Sequence, residues 1–250
     1  MKVLLIGDSC EDRYFYGDVK RLSPEAPVPI LEYKRGVTSE GMVKNVYNNL
    51  KAFGIEIDLL TNEEEVIKTR FIDEKSNYQI LRSDEEPEIK PFSHQLPKNN
   101  YDALVISDYD KGFITQEKLF EISNSFVGPV FIDTKKTCIP ENAFIKINES
   151  EFKKVTHFIP DNMIITKGGE GTEYQGKLYP AEKVKVFDVV GAGDTFLAAL
   201  TYGYIKYGTI DRAIPLANKA AAIAVSHTGT YVLKEEDVKT LLCWYWWYDL

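Results

Sequence analysis

The stretch with the clearest chemical character runs from Phe187 to Leu200 and reads FDVVGAGDTFLAAL. Extended residues lead into Gly191, Ala192 and Gly193, and an apolar run with helical spacing follows, so the pattern predicts a strand-to-helix turn. The first amides of a helix have no partner inside it and can hold an anion. Asp194, placed among them, can take the proton from a hydroxyl that attacks a phosphoryl group. Alternatively, Asp194 only favours the first helical turn and the glycines only shape a bend.

Composition excludes several classes of function. The 250 residues are 44% hydrophobic and 27% charged, which suits one globular domain, 1–250. The net charge is −8, and the lysines and arginines are scattered along the sequence, so no nucleic acid partner is expected. Cys10, Cys138 and Cys243 lack disulfide or zinc spacing, and the three histidines lack metal spacing. The apolar start is too short for a signal peptide and no segment reaches the length of a membrane span. We therefore expect a cytoplasmic protein without membrane contact.

Apolar runs alternate with helical patterns along the chain. Buried strands are predicted at Val3 to Ile6, Tyr101 to Ser107 and Val130 to Asp133, each followed by polar residues. Helical spacing covers Ser39 to Phe53 and Arg212 to Ser226. Such alternation is typical of an α/β three-layer fold with a mainly parallel sheet. The chain has no G-x-x-x-x-G-K-[ST] string, so it is not a P-loop enzyme.

Two segments have the pattern of exposed β structure that leaves the main sheet. Residues 13–35 alternate in aromatic and polar character, and their prolines exclude a central strand. Residues 66–83 predict a hairpin with its turn near residues 74–77. We expect these segments to form a small β appendage.

The string around Asp194 resembles the D-x-x-G-A-G-D signature of the ribokinase-like (PfkB) carbohydrate kinases, matched at Asp188, Gly191, Ala192, Gly193 and Asp194. In that family the last aspartate is the catalytic base and the preceding amides form the anion hole. The string GDSCEDRYFYGDVKRLSPEAPVP, which begins at Gly7, is similar to the opening of the heptose 7-phosphate kinases. Those kinases form one half of the bifunctional ADP-heptose synthesis enzymes, and the other half is expected on a separate chain if this one ends at residue 250.

The resemblance implies a ribokinase-like α/β/α fold in which the β appendage is a lid over the sugar. It implies an ATP-dependent kinase for a sugar or sugar phosphate, first of all D-glycero-β-D-manno-heptose 7-phosphate, whose product is the 1,7-bisphosphate. The resemblance also implies Mg²⁺, a monovalent cation such as K⁺, and a homodimer formed through the lid. The alternatives are a PfkB kinase for another sugar and a degenerate member that binds a sugar phosphate or nucleotide without turnover.

The resemblance also assigns residues to the acceptor sugar. Gly41 and Asn45 match a G-G-A-x-N-x-A start, although Met42 replaces the second glycine and can fill space that the sugar needs. Lys135, after a strand end, could hold a phosphate or could be a solvated loop lysine. The implied acceptor-binding residues are Asp8, Asp12, Arg13, Gly41, Asn45, Asp108, Lys111 and Lys135.

Three further matches concern the nucleotide. Asn148, Glu149, Ser150 and Glu151 match the N-x-x-E motif, in which Asn148 and Glu151 help to place Mg²⁺ indirectly; the same pair also has the spacing of a helix N-cap and its capping-box partner. Thr166, Gly168, Gly169 and Gly171 resemble the T-x-G-x-x-G loop that lies beside ATP in the family. The same residues would also suit a hairpin turn. Asn218 borders the adenine in these kinases, or bonds a neighbouring loop.

The chain is shorter than the pattern it resembles. Only TNEEE stands between Leu60 and Val66, and after Glu151 only KKVTHFIPDN leads into the strand MIITK, where the family carries additional elements. These gaps and the altered GMVKN string favour the non-catalytic alternative, whereas the intact GAGD and NESE strings favour catalysis. The aromatic residues at 244–248 are expected to pack on the body or on a partner subunit.

Overall fold

The structure is a computed structural model that describes residues 1–97, 99–156 and 160–248. Within these residues twelve strands form two sheets, and six helices and two short 3-10 turns accompany them. In chain order the strands are β1 Lys2–Gly7, β2 Ser9–Leu22, β3 Pro29–Met42, β4 Glu56–Thr61, β5 Ile67–Asp73, β6 Tyr78–Glu85, β7 Ala103–Asp108, β8 Val130–Thr134, β9 Phe144–Asn148, β10 Met163–Thr166, β11 Gly171–Tyr174 and β12 Lys177–Pro180. The helices are α1 Val43–Ala52, α2 Gln116–Ser125, α3 Glu149–Phe152, α4 Ala192–Tyr207, α5 Ile210–Val225 and α6 Glu235–Tyr248, and the 3-10 turns are Pro160–Asn162 and Gly168–Glu170.

The larger sheet has eight strands in the order β12-β11-β10-β9-β8-β7-β1-β4. The strands from β10 to β4 run parallel, whereas β11 and β12 form an antiparallel hairpin at one edge. Gly7 pairs with Ser107, and Asp108 pairs with Thr134, so the carboxyl ends of β1, β7 and β8 lie side by side. The mainly parallel α/β fold predicted from the sequence is confirmed.

The core lies on both faces of this sheet because successive side chains of a strand point to opposite sides. Val3 and Leu5 of β1 join the apolar cluster that α1, α4 and α5 cover. Leu4 and Ile6 join the second cluster, which α2 covers. All four side chains are fully buried, which explains the uninterrupted apolar run. In the described ranges, no helix is both long enough and apolar enough to cross a membrane.

The smaller sheet, which we call the lid, has the strand order β3-β2-β5-β6. Its first hairpin is longer than the predicted segment 13–35, and its second hairpin turns at residues 74–77 as predicted. Pro24 and Pro27 lie in the connection between β2 and β3. Pro29 opens β3, an edge strand, where a missing amide hydrogen is tolerated.

Two sequence predictions about element boundaries are wrong. The helix predicted from Ser39 begins only at Val43, because Ser39–Met42 pair with Ser9–Asp12 as the end of β3. The strand predicted before Gly191 is irregular chain instead, held by a hydrogen bond of 2.8 Å from the Phe187 N–H to the Val225 carbonyl. Long-range strand pairing overrides the local pattern in the first place, and hydrogen bonds to the end of α5 and the loop after it do so in the second.

Further elements were not anticipated by the sequence patterns. Strand β9 lies between β8 and β10, and α6 ends the described chain. The side chains of residues 244–248, for which we expected packing on the body or on a partner, lie outside what the structure describes.

Helices α4 and α5 pack closely because small residues face each other where the helices meet. A Cβ atom built on Gly203 would lie 3.0 Å from both the Cα and the Cβ atom of Ala213. The alanine-rich composition of α5 permits this close approach. The packing fixes the direction of α4, whose first turn carries Asp194.

We predict that Gly203→Val lowers the free energy of unfolding by about 1 to 3 kcal/mol, because overpacking a tight helix contact forces the two backbones apart. Lys206→Val is the matched control, since Lys206 is exposed on the same helix. The control removes helix propensity, roughly 0.5 kcal/mol, and the hydrogen bond of 2.9 Å from Lys206 Nζ to the Tyr202 hydroxyl, but it introduces no overpacking between α4 and α5. Urea denaturation measures both variants, and equal losses at the two positions would contradict the close contact.

Candidate active site

A cavity of about 630 Å³ lies at the start of α4, beside the ends of β8 and β9. Gly191, Ala192 and Gly193 line one end of it. Gly191 adopts a φ of 78°, and a Cβ atom there would approach Asn45 Nδ2 to 2.7 Å, so this position requires glycine. The amide of Ala192 donates to the Val189 carbonyl at 3.3 Å. The amides of Gly191, Gly193 and Asp194 find no acceptor in the described chain, so the cavity ends in an anion-binding helix start.

Asp194 lies in the first turn of α4 and is 3% exposed. Its Oδ2 accepts a hydrogen bond of 3.0 Å from Asn45 Nδ2, and its Oδ1 accepts one of 2.8 Å from the Tyr109 hydroxyl. Burial raises the pKa of Asp194 to about 6, although these two hydrogen bonds favour its charged form. A carboxylate with a pKa near the working pH is a suitable general base.

A relay of amide side chains fixes the group that orients Asp194. Asn45 Oδ1 accepts a hydrogen bond of 3.1 Å from Asn49 Nδ2, one turn further along α1. Asn49 Oδ1 in turn accepts a bond of 3.0 Å from the Leu233 N–H. Both asparagines are fully buried, so their orientation is determined by these bonds. The candidate base is thereby held by two elements besides its own helix.

Lys146 is a buried site residue that the sequence patterns missed. It lies on β9 directly opposite Asp133 of β8, and its Nζ is 2.6 Å from Asp133 Oδ2. Burial opposes its charge, but the paired Asp133 carboxylate raises the pKa of Lys146, so it is an ammonium. A Cβ atom on Gly193 would lie 2.7 Å from this Nζ. A lysine within the apolar strand FIKIN was the available signal.

The NESE segment forms the capping box that its spacing allowed. Asn148 Oδ1 accepts hydrogen bonds from the N–H groups of Ser150 and Glu151 at 2.9 and 3.0 Å, and Glu151 Oε2 accepts one of 2.9 Å from the Asn148 N–H. The second oxygen of Glu151 pairs with the ammonium of Lys135. Asn148 lines the cavity, whereas Glu149 is exposed.

The loop after β10 borders the same cavity. Thr166, Gly168, Gly169 and Gly171 all line it, and Cβ atoms at Gly168 and Gly169 would meet nothing within 4 Å. Open space at these positions leaves the backbone accessible to a ligand. Apolar side chains also line the cavity, among them Val184, Val186, Val189, Ala221 and Val225. Such a slot suits the flat face of a nucleotide base.

Asn218 serves the fold as well as the cavity that it lines. Its Nδ2 donates to the Tyr179 carbonyl at 2.9 Å, and its Oδ1 accepts a bond of 2.6 Å from the Thr172 hydroxyl. The side chain therefore ties the hairpin of β11 and β12 to α5. The structure shows the bonds of Asn218 to a neighbouring segment, and its place beside the adenine stays a prediction.

The inner face of the lid carries a buried ion pair. Arg70 of β5 donates from Nη1 to Asp12 Oδ1 of β2 at 2.5 Å. Gly41 lies against this carboxylate, because a Cβ atom there would approach Asp12 Oδ2 to 2.2 Å. The Tyr14 hydroxyl on the same face lies 3.3 Å from Thr230 Oγ1, and Thr230 contacts Gly191 closely enough to exclude a side chain there. The lid thus reaches the start of α4.

Arg13 does not join this group, contrary to the sequence expectation. Neighbouring residues of a strand point to opposite faces, so Arg13 projects away from Asp12 and pairs with Glu11. Arg70, which the sequence patterns did not single out, supplies the cation beside Asp12 instead.

Asp8 and Asp108, which were expected to bind the acceptor, bond other groups of the protein. Asp8 accepts backbone hydrogen bonds from Tyr109, Lys111 and Phe113 at 2.7, 3.4 and 3.3 Å. Asp108 accepts a bond of 2.6 Å from the Thr134 hydroxyl and pairs with Lys136 at 3.0 Å. Both carboxylates are buried and occupied by protein donors, so they shape the loop that carries Tyr109.

Lys111 and Lys135 lie at the rim of the same region. Lys111 Nζ pairs with Glu86 at 2.6 Å, just beyond β6 of the lid. Lys135 lies 5.4 Å from the ring centroid of Tyr109 and pairs with Glu151, so it is not simply a solvated lysine. The structure therefore gathers most of the predicted site residues around Tyr109 and the start of α4.

Comparison with known proteins decides the family. The model of the pfkB family carbohydrate kinases matches residues 122–237, a range that includes Asn148, Glu151 and the GAGD string. A bifunctional protein HldE from Nitratiruptor sp. is 30% identical over 302 aligned positions, which cover 95% of this chain and 64% of that protein. This chain carries a PfkB carbohydrate kinase domain. This confirms the resemblance inferred from the GAGD string.

A second relative shows a similar degree of likeness. A bifunctional protein HldE from Helicobacter pylori is 29% identical and covers 96% of this chain and 66% of its own length. The chain thus spans about two thirds of the curated relatives that it matches. The alignment of 302 positions exceeds the 250 residues of this chain, which is consistent with segments that the relative has and this chain lacks.

Solved structures show the same fold. Ribokinase from Thermotoga maritima superposes with a TM-score of 0.68 at 17% identity, over 96% of this chain and 99% of that one. Phosphofructokinase-2 from Escherichia coli, in complex with potassium, gives a TM-score of 0.69 at 14% identity, over 97% and 98% of the two chains. At these identities the likeness concerns the fold, and it confirms the ribokinase-like class.

The donor groups of this PfkB member fit a magnesium ion that enters with the nucleotide. Within the described residues no group of three or more His, Cys, Asp or Glu side chains could cage a metal. Mg²⁺ commonly keeps several waters and takes one or two carboxylates besides the phosphates. Asn148 lines the cavity, and Glu151 is bonded to it in the same capping box. A magnesium ion that enters with the nucleotide would be placed by these two oxygen-bearing side chains indirectly, through waters. The ion would supply charge that offsets the β- and γ-phosphate oxygens.

We predict that kcat/KM for phosphoryl transfer rises with pH around a midpoint near 6, because Asp194 with its pKa of about 6 must be ionised to accept a proton. The sign follows from the role of the group, since the protonated form below that pKa cannot act as a base. A pH–rate profile from about pH 5 to 8 measures it. A flat profile over this range would exclude Asp194 as the titrating base.

We also predict that Tyr109→Phe moves this midpoint to higher pH. The Tyr109 hydroxyl donates to the ionised Asp194 and so lowers its pKa, and its removal leaves the charged form less stable. Tyr101→Phe is the control, because the Tyr101 hydroxyl bonds Asp58, a different carboxylate. The pH profiles of the two variants should differ, and identical midpoints would show that Tyr109 does not tune the base.

Proposed function

We propose that this PfkB kinase transfers the γ-phosphoryl group of ATP to a hydroxyl of a sugar that already carries a phosphate. D-glycero-β-D-manno-heptose 7-phosphate is the acceptor that we place first, with the 1,7-bisphosphate as product. The similarity to bifunctional HldE proteins over 95% of the chain supports this choice, as does the match to the opening string of the heptose 7-phosphate kinases. A cytoplasmic location, where ATP is supplied, belongs to the same proposal.

The geometry gives each group a part in the transfer. Asp194 accepts the proton of the attacking hydroxyl, and Asn45 and Tyr109 keep its two oxygens aimed. The unoccupied amides at the start of α4 stabilise charge on the transferred group. The lid covers the acceptor and keeps out water, which would otherwise compete as the acceptor.

One observation carries the choice of a phosphorylated acceptor. Lys68 of β5 pairs across the sheet with Asp12, so it faces inward from the lid, and it is only 9% exposed. Its Nζ lies 5.8 Å from the ring centroid of Tyr109. No hydrogen bond or ion pair reaches this ammonium from any described residue. A buried charge without a partner is costly, so a site of this kind favours an anionic ligand.

The same residues argue against the two rival functions, a kinase for an unphosphorylated sugar and a non-catalytic binder. A kinase for an unphosphorylated sugar would need no cation at Lys68. A non-catalytic binder would need no oriented base, whereas Asn45, Asn49 and Tyr109 hold Asp194 in place. Met42 packs into the core cluster of Leu4 and Cys10, so it is fixed beside the acceptor region and not in open solvent.

A homodimer and a monovalent cation remain part of the proposal. The outer face of the lid groups Phe15, Tyr33 and Phe71 in edge contacts, and Tyr33 is largely exposed. Such a patch suits a second copy of the lid. Asp188 accepts backbone bonds from Val190 and Gly229 and so ties the GAGD loop to the loop after α5, where a K⁺ dependence of activity would be sought.

The proposal is tested by ADP release in a coupled assay with heptose 7-phosphate, fructose, ribose and the phosphates of fructose and ribose as acceptors. We expect heptose 7-phosphate to give the highest kcat/KM. If another sugar phosphate is preferred, the heptose assignment fails and the phosphorylated-acceptor proposal stands. If only unphosphorylated sugars react, or none does, the proposal is overturned.

We predict that Lys68→Met raises KM for the phosphorylated acceptor by roughly tenfold or more, because a charge-assisted contact with the phosphate is lost. Activity on the corresponding unphosphorylated sugar should change less than about twofold. Lys75→Met, an exposed position in the turn of the same lid hairpin, is the control. Equal effects on both sugars would show that Lys68 supports the lid and does not contact phosphate.

A further inference from the structure

A second buried cation stands at the other end of the reaction path. Lys146 lines the cavity together with Gly191, Ala192 and Gly193, and it is buried. Its ammonium has three hydrogens, and Asp133 is the one acceptor that the described residues offer it, at 2.6 Å. Two donors therefore remain for a ligand.

Gly193 shows where those donors lie. A Cβ atom on Gly193 would be 2.7 Å from Lys146 Nζ and 3.9 Å from Asp133 Oδ2. The ammonium thus lies close to Gly193, whose backbone amide, like that of Asp194, has no acceptor in the described chain. An anion bound at the start of α4 would therefore lie near both these amides and the ammonium, beside Asp194.

A purely structural ion pair explains less of this arrangement. A buried lysine and aspartate commonly stabilise a fold no more than apolar residues of the same size would. Two residues earlier, on the same face of β8 and β9, Phe131 and Phe144 stack on each other, so an apolar pair would continue this face. The pair instead holds an ammonium beside a helix start, whose dipole alone offers roughly half a positive charge.

We propose that Lys146 is a catalytic residue of this kinase, a cation that contacts the γ-phosphoryl group and stabilises it during transfer, with Asp133 as its positioning residue. The inference rests on the proposed function. In the step, the acceptor oxygen forms a bond to phosphorus while the bond to the β–γ bridging oxygen of ATP breaks and ADP leaves. The acceptor proton goes to Asp194, and Lys146 keeps its proton throughout.

The substitution Lys146→Met tests this, with Lys146→Gln as a second variant that keeps a polar end in case the first does not fold. Removing one donor to a developing charge costs about 10² to 10³ in kcat. Lys118→Met is the control, because Lys118 is equally buried but pairs with Glu121 on α2, away from the cavity. Thermal unfolding establishes that each variant is folded.

Calorimetry with ADP and with a non-hydrolysable ATP analogue supplies a readout that a structural role would not move. The contact is to the γ-phosphoryl group, so both variants should weaken the analogue by roughly tenfold and leave ADP unchanged, while Lys118→Met alters neither. This binding measurement needs no acceptor sugar, so it tests the role of Lys146 even if no acceptor is found. It therefore separates failure of the inference from failure of the proposed function. Equal losses for the two nucleotides, or a kcat within about threefold of the native protein, would overturn the assignment.

Discussion

The structure depends on keeping one carboxylate out of water at the positive end of a helix. Asp194 is buried in the first turn of α4, and that burial raises its pKa while Asn45 and Tyr109 hold its oxygens. A buried charge is costly to fold around, and the protein offsets this with hydrogen bonds from α1 and from the loop after β7. The same burial places a usable base where a phosphoryl acceptor would meet the nucleotide.

The surrounding charges are arranged so that most of them orient each other. Arg70 with Asp12, Lys136 with Asp108 and Lys146 with Asp133 are pairs with little exposure on either side. Pairing of this kind fixes long side chains before a ligand arrives, so less ordering remains to be done on binding. Lys68 differs because it is buried without a partner in the described chain, and Lys146 has donors to spare. These two cations stand at the acceptor and nucleotide ends of the proposed path.

The sequence predicted the parts of the site whose geometry is local. The GAGD turn and the capping box of Asn148 and Glu151 form between residues only a few positions apart, so spacing alone determines them. Spacing alone could not identify Lys146 and Lys68, because the pairing of strands buries both of them. Lys146 lies opposite Asp133 of β8, and Lys68 lies opposite Asp12 of β2. The roles expected for Asp8 and Arg13 also depended on contacts that spacing does not show. Backbone N–H groups of a distant loop bond the Asp8 carboxylate, and the alternation of side chains along β2 points Arg13 away from Asp12.

The measurement that tests the central claim most directly is single-turnover phosphoryl transfer by Asp194→Asn, with ATP affinity measured on the same preparation. Asparagine preserves the size of the side chain but cannot accept the proton. The account predicts a transfer rate lowered by about 10² to 10⁴ with ATP affinity within roughly threefold of the native protein. A variant that transfers within about tenfold of the native rate would contradict the account, because the buried carboxylate would then not be the base.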